Sequence, residues 1–372
     1  MTDHSSILSD IPLSLIESRA RHLATHSWEH GTLSHALLSI HSPSQTIFSP
    51  SFPSVSSSAT PALIYAAEHI STTTQTLYPS DTTSISDPAS LGTAALLLGL
   101  TDKKYAQAAQ RQIHHLLATQ RYEGAISHRE DGLSLWADAV AMVPPFLAMA
   151  GVLSHDVDLI REAVRQIRSY RSVLLITDRE SVRGAWRHIV SFPLAAGDDP
   201  GPWSTGNAWV LFGSARVVAS LCRSRFVEDL RQEREVLVSY ACEILDAAVR
   251  SDDDKSGLLR NYWGDETYFA ETSGTALIAA AVYRLVVLEK GMDKYLHWAE
   301  RKRDMVVRCF SADGTAGPAA EALNHFGKVP VDGGSAEGQA FVLEMLAAWR
   351  DWEETKTLMS HDIPVETDRH AS

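Results

Sequence analysis

Pro202-Trp203-Ser204-Thr205-Gly206-Asn207-Ala208-Trp209-Val210 is a polar, glycine-containing turn that runs into an apolar helix opening with small residues. Two later stretches repeat the design: Glu271-Thr272-Ser273-Gly274-Thr275-Ala276-Leu277 and Gly334-Ser335-Ala336-Glu337-Gly338-Gln339-Ala340-Phe341. A helix opening that recurs along a chain marks a helical repeat array. Further openings fall near Gly92 and Asp138. Successive openings are thus separated by roughly 45–70 residues, one αα-hairpin with a long loop. With the N-terminal pair, these make six hairpins. The expected class is all-α, an (α/α)6 barrel of six helical hairpins. Small residues let the inner helices pack closely around an axis. Charged stretches such as Val227-Glu228-Asp229-Leu230-Arg231-Gln232-Glu233-Arg234 belong outside.

Working outward, residues 11–40 read as two helices separated by the turn Thr25-His26-Ser27-Trp28-Glu29-His30-Gly31. Further helices are expected over 62–78, 90–100, 103–120, 137–153, 156–172, 206–224, 226–250, 273–290, 292–309 and 336–354. Ala106, Ala109, Ile113, Leu116 and Leu117 recur at helical spacing. Pro144-Pro145 should kink or restart the helix that holds it. Short strands are expected at 172–177 and 186–190. The domain reading is one barrel over 1–352, with a Ser/Pro-rich insertion of little core-forming capacity near 41–61 and a polar C-terminal tail at 353–372.

The 372 residues are 45% hydrophobic and 21% charged, as in ordinary globular proteins. A net charge of −13 argues against nucleic acid or an anionic membrane as partner and leaves a small-molecule substrate. Cys222, Cys242 and Cys309 have no metal or redox spacing and read as buried free thiols in a reducing compartment. The start Met1-Thr2-Asp3-His4-Ser5-Ser6 lacks a secretory pattern. No run approaches the roughly 18 apolar residues of a membrane span. A cytoplasmic setting is expected. Oligomeric state is not legible.

Leu135-Trp136-Ala137-Asp138-Ala139 sets one carboxylate among apolar and aromatic residues. Burial raises a carboxyl pKa, and a neutral acid can donate a proton, so Asp138 is the general-acid candidate, with a helix cap as the other reading. His188, in Gly184-Ala185-Trp186-Arg187-His188, reads as a proton shuttle, a hydroxyl ligand or a plain loop residue. Asp87 precedes a helix and is a second acid or an N-cap. His128 is a partner for Asp138 or an ordinary loop residue. Trp28 and His30 share one turn, and Trp28 offers a face for a flat ligand. Asp198-Asp199 and Asp252-Asp253-Asp254 read as solvated loops. No Walker loop, HExxH, EF-hand or GxSxG is present, and neither metal nor cofactor is expected.

At these motifs the chain resembles the six-hairpin glycosidases, specifically the unsaturated rhamnogalacturonyl and glucuronyl hydrolases. Trp28-Glu29-His30-Gly31, Trp136-Ala137-Asp138, the stretch from Trp203 to Trp209, Glu271-Thr272-Ser273-Gly274 and Ser335-Ala336-Glu337-Gly338-Gln339 carry the likeness, in the family's order. The resemblance implies a pocket at one end of the barrel and Asp138 as the acid/base residue, with Asp87 matching a second pocket Asp. Trp28, His30, His128, Trp136, Arg187, Trp203, Thr205, Asn207, Trp209 and Glu271 are the candidate substrate contacts. The resemblance also implies protonation of the C4=C5 bond of an unsaturated uronyl residue, addition of water at C5 and collapse of the hemiketal. One departure stands out. Thr205 occupies the place of an Arg suited to a uronate carboxylate, and Arg187 is the replacement available in nearby loops. A lyase, isomerase or cyclase for a non-sugar molecule on the same scaffold is the alternative, and a non-catalytic binding protein the third.

Overall fold

The computed structural model describes residues 7–53, 59–81 and 83–361. Its α-helices come in pairs: α1 (Leu13–Leu23) and α2 (Ser27–His41), α3 (Pro61–His69) and α4 (Gly92–Gly99), α5 (Lys103–Ala118) and α6 (Ala139–Ser154), α7 (Val157–Leu174) and α8 (Ser204–Arg223), α9 (Arg231–Arg250) and α10 (Thr272–Leu288), α11 (Leu296–Val307) and α12 (Ala336–His361). The second member of each pair is inner. Neighbouring inner elements pack on one another around the ring, and α12 against α2 closes it. This is the (α/α)6 barrel.

The sequence explains the two layers. Inner α8 is buried without a break from Ser204 to Leu221, and α10 from Thr272 to Leu285. Helices apolar all round belong in a core. Outer α7 buries one stripe that includes Ile160, Ala163, Val164, Ile167, Tyr170 and Leu174 and turns the rest to solvent. The recurring glycines have a packing role. A Cβ at Gly274 would lie 2.7 Å from the backbone carbonyl carbon of Ser204, and one at Gly338 would press on Ser273 Oγ. The glycine of one helix opening receives the serine of the opening before it.

Several boundaries differ from expectation. α3 stops at His69, because the Ser/Thr-rich stretch 71–76 turns back, with Ser71 N–H bonded to Leu77 O at 2.8 Å. Such residues compete with the helix through their side chains and lose χ1 freedom within it. The region 172–177 is not a strand: α7 continues through Leu174, and Leu175 makes one isolated bridge to Trp186. The ladders are β1 (Arg121–Tyr122) with β2 (Ala125–Ile126), β3 (Leu133–Trp136) with β4 (Ile189–Phe192), and β5 (Leu259–Arg260) with β6 (Ala270–Glu271), all antiparallel.

Pro144 and Pro145 neither stop nor restart α6, which runs through both. Pro145 cannot donate to Ala141 O, and the buried Arg216 guanidinium does so instead, from Nη1 at 3.2 Å. The 41–61 segment does supply core: Ile47, Phe48 and Phe52 are buried, and Phe48 packs on Phe212 and under Arg284. Residues 54–58 of it lie outside the described residues. In the expected tail, α12 continues to His361, and 362–372 lie outside the described residues. Among the described residues, no helix is long and apolar enough to cross a membrane.

Candidate active site

The first turns of the inner helices converge on a cavity of about 130 Å³. Trp28, Asp138, Met142, Trp209 and Glu337 reach it from helix openings, and Asp87, His128, Arg129, Trp136, His188, Trp203, Ala322 and Leu323 from the loops above. Backbone ladders set the register of the loops. Pairing of β3 with β4 matches Trp136 to Ile189, and Ala137 N–H continues the ladder to His188 O at 2.8 Å. This brings Asp138 beside His188. The bridge between Ile189 and Asp199 adds a second carboxylate on the far side of the ring.

The result is a buried Asp138–His188–Asp199 chain. His188 Nε2 lies 3.1 Å from Asp138 Oδ2, and Nδ1 lies 3.0 Å from Asp199 Oδ2. The Tyr262 hydroxyl and Gly201 N–H donate to Asp199. Burial opposes charge on His188, but the flanking Asp138 and Asp199 outweigh it and raise its pKa to about 9. The imidazolium form is favoured. Burial pushes the Asp138 carboxyl up, yet the His188 charge overcomes this and the net shift is downward. The expectation that burial leaves Asp138 neutral is therefore corrected: the resting proton sits on His188.

Asp87 lines the same cavity. Burial, with Asp81 and Asp138 nearby, raises its carboxyl to about 7. His128 stacks on Trp136 at 4.4 Å between centroids and bonds through Nδ1 to Ser86 Oγ. Burial pushes the His128 pKa down to about 3, so it is a neutral ring. His128 Nε2 is 4.0 Å from Asp87 Oδ2.

Of the residues singled out from sequence, Asp138, His188, Asp87, Trp28, His128, Trp136, Trp203 and Trp209 meet in this cavity. Five do not line it. His30 is buried behind it, bonded to Tyr65 and stacked on His69 at 3.6 Å. Arg187 points to Asp178, 3.5 Å away, and to Leu175 O. Thr205 is fully buried. Asn207 bonds both backbone groups of Trp186 and so pins the His188 loop. Glu271 is the N-cap of α10, accepting from Ser273 N–H at 2.5 Å and Gly274 N–H at 2.8 Å.

Sequence reasoning missed Arg129, Glu337 and Asp199. Asp199 is no solvated loop residue, being 2% exposed. Asp252 likewise binds the buried Lys302. Glu337 belongs to the helix opening at 335–339, and its place beside the glycine that recurs in these openings was the available signal. Among the described residues, one group has a metal-like donor set, His188, Asp199 and His325, with ligand atoms spread up to 4.8 Å apart. That is wide for ligands each about 2.0–2.2 Å from zinc, and two of the three already pair with each other.

An inner ring of helix openings around carboxyls, imidazoles and four indoles is the arrangement of a six-hairpin glycoside hydrolase. The profile of Glycosyl Hydrolase Family 88 matches residues 25–343, and the chain belongs to that family. Among solved structures, the chain is similar to a possible GH105 family member from Salmonella enterica serovar Paratyphi A, at 18% identity and TM-score 0.69, over 91% of this chain and 93% of that one. It is also similar to an unsaturated glucuronyl hydrolase specific for heparin, at 14% identity and TM-score 0.67, over 94% and 98%. A third is the unsaturated glucuronyl hydrolase of Bacillus sp. GL1, at 17% identity and TM-score 0.54, over 70% and 73%. At these identities the likeness speaks for the fold. No curated protein matches the chain significantly.

Proposed function

We propose that this glycoside hydrolase hydrates the C4=C5 bond of an unsaturated uronyl saccharide, with Asp138 and His188 acting as one proton-transfer unit. The observation that carries the reading is the Asp138–His188 pair, 3.1 Å apart, facing a cavity walled by Trp28, Trp136, Trp203 and Trp209. Indole faces suit the apolar side of a sugar ring. Membership of the family and the names of the structurally similar unsaturated glucuronyl hydrolases support the substrate class.

The proton passes from the His188 imidazolium to Asp138 and from Asp138 to C4. Positive charge develops at C5 and the ring oxygen. Water adds at C5 and returns its proton through Asp138 to His188. The hemiketal then collapses, releasing the neighbouring sugar. Asp199 keeps the imidazole oriented and favours its charged form, which is restored when the proton returns. Asp87, about half protonated at pH 7, hydrogen-bonds the ring through its protonated form. The free state of Cys222, Cys242 and Cys309 suits a reducing, cytoplasmic setting.

The test is optical. Unsaturated uronides absorb in the ultraviolet through their conjugated alkene, and purified protein should abolish that absorbance. Protein that leaves it unchanged would turn the reading toward a lyase, isomerase or cyclase acting on a non-sugar molecule. The observation favouring that second reading is the uncharged, buried Thr205.

A further inference from the structure

Glu337 is the second residue of α12, 3% exposed, and lines the same cavity as Asp87 and Asp138. The glutamate of the preceding opening, Glu271, precedes its helix and caps it. Glu337 does not. At α12 the capping contact is made by Ser335 Oγ, which accepts from Gly338 N–H at 3.3 Å. Among the described residues, no hydrogen bond or ion pair engages the Glu337 carboxyl. The charged groups that act on it most, Asp138, Glu29, Glu271 and Glu321, are all acidic. A buried carboxylate with no partner and acidic neighbours is costly, and such a group stays neutral. Burial first, then these neighbours, raise its pKa well above the usual carboxylate value. A neutral carboxyl carries an O–H, and a donor left unused in a buried site is itself costly. The cavity is the open side of this group.

The cations around the cavity leave a vacancy for such a donor. Thr205 brings no charge, and Arg187 is turned to Asp178. His188 is held between two carboxylates. Arg129 sits at the rim, 31% exposed, and is engaged by Asp131 at 3.3 Å. An O–H donated to a carboxylate is a strong, charge-assisted bond.

We propose that Glu337, as a neutral carboxylic acid, donates the hydrogen bond that holds the carboxylate of the uronyl ring, and so sets specificity where the family Arg is replaced by Thr205. This rests on the uronide reading above. Glu337 does not exchange protons with the reacting carbons. An amide keeps the donor, so Glu337→Gln should stay within a few-fold of wild type. Glu337→Ala should lose roughly 10- to 100-fold in kcat/KM on the free acid, the range of one hydrogen bond to a charged group. It should lose far less on the methyl ester of the same unsaturated disaccharide.

The experiment measures kcat/KM for acid and methyl ester with wild type, Glu337→Gln and Glu337→Ala. Alongside, infrared difference spectra of wild type minus Glu337→Gln are taken at neutral pH without substrate. The carbonyl stretch of a protonated carboxylic acid should be present in wild type and missing from the variant. Equal losses on acid and ester, a Gln variant as impaired as the Ala variant, or no such band would each overturn the proposal. Wild-type protein inactive on both substrates would sink the uronide reading and the assigned acceptor together. The infrared band would then still establish or refute the neutral acid, so the two failures are distinguishable.

Discussion

Asp138 and His188 hold one proton between them, and that sharing sets the residue-level expectations. Asp138→Asn removes the acceptor that relays the proton, so turnover should fall by about 10²-fold or more, while circular dichroism shows that the fold survives. The same substitution removes the charge that does most to raise the His188 pKa. Imidazole resonances followed by NMR should show the His188 titration moving down from about 9; an unmoved titration would mean that Asp199 alone holds the charge. Asp87 gives a separate pH expectation. Its folded-state carboxyl titrates near 7, so it is protonated below that and ionised above. If the ring needs the protonated form, kcat/KM should decline as pH rises through about 7, and Asp87→Asn should keep its residual activity level over that range. A wild-type profile flat across that pH would remove Asp87 from the chemistry.

At the scale of elements, α6 shows how a local rule gives way to tertiary supply. Pro145 deprives Ala141 O of its helical donor, and Arg216 on α8 provides one. Arg216→Met should therefore destabilise the fold by about 1–3 kcal/mol, the cost of an orphaned buried acceptor. Part of that cost should disappear in the Pro145→Ala background, where the helix N–H returns. Chemical denaturation of the four proteins in the double-mutant cycle measures the coupling. Strict additivity would mean the two residues do not serve one carbonyl. The helix openings give a contrast. Gly274→Ala meets Ser204 backbone, which cannot move aside, and should cost about 1–3 kcal/mol of overpacking. Gly338→Ala meets a serine hydroxyl, and the added change Ser273→Ala should relieve it.

For the whole molecule, pH acts through protons that only the folded chain binds tightly. His188 rises from an ordinary 6.5 to about 9 on folding, so its contribution is fully present below about 6.5 and is lost as pH rises through about 9. Asp87 and Glu271 are also raised, each to about 7, so stability that their protons supply at low pH is lost as pH rises through 7. Asp199 and Glu344 are lowered and act in the opposite sense, losing their contribution in acid. Calorimetry should find the unfolding temperature highest in mildly acidic to neutral buffer and falling toward alkaline pH, with the alkaline decline reduced in His188→Asn. A rising unfolding temperature across that alkaline range would contradict the assignment. The sequence by itself determined the barrel and its open end. Small residues after polar turns state that helices pack closely at their starts, and this periodic, local signal survives without neighbours. It also picked out Asp138 and the indoles that stand beside it. It could not show that Asp138 is ionised, that Asp199 is buried, that Glu271 caps a helix or that Glu337 is left free to face a ligand. The first two depend on the pairing of Trp136 with Ile189 and of Ile189 with Asp199; the Glu271 cap is local to its own helix, and the place of Glu337 follows from how the helix openings meet around the cavity. A carboxyl's charge follows from the neighbours that the fold supplies, and only the tertiary structure assembles those neighbours.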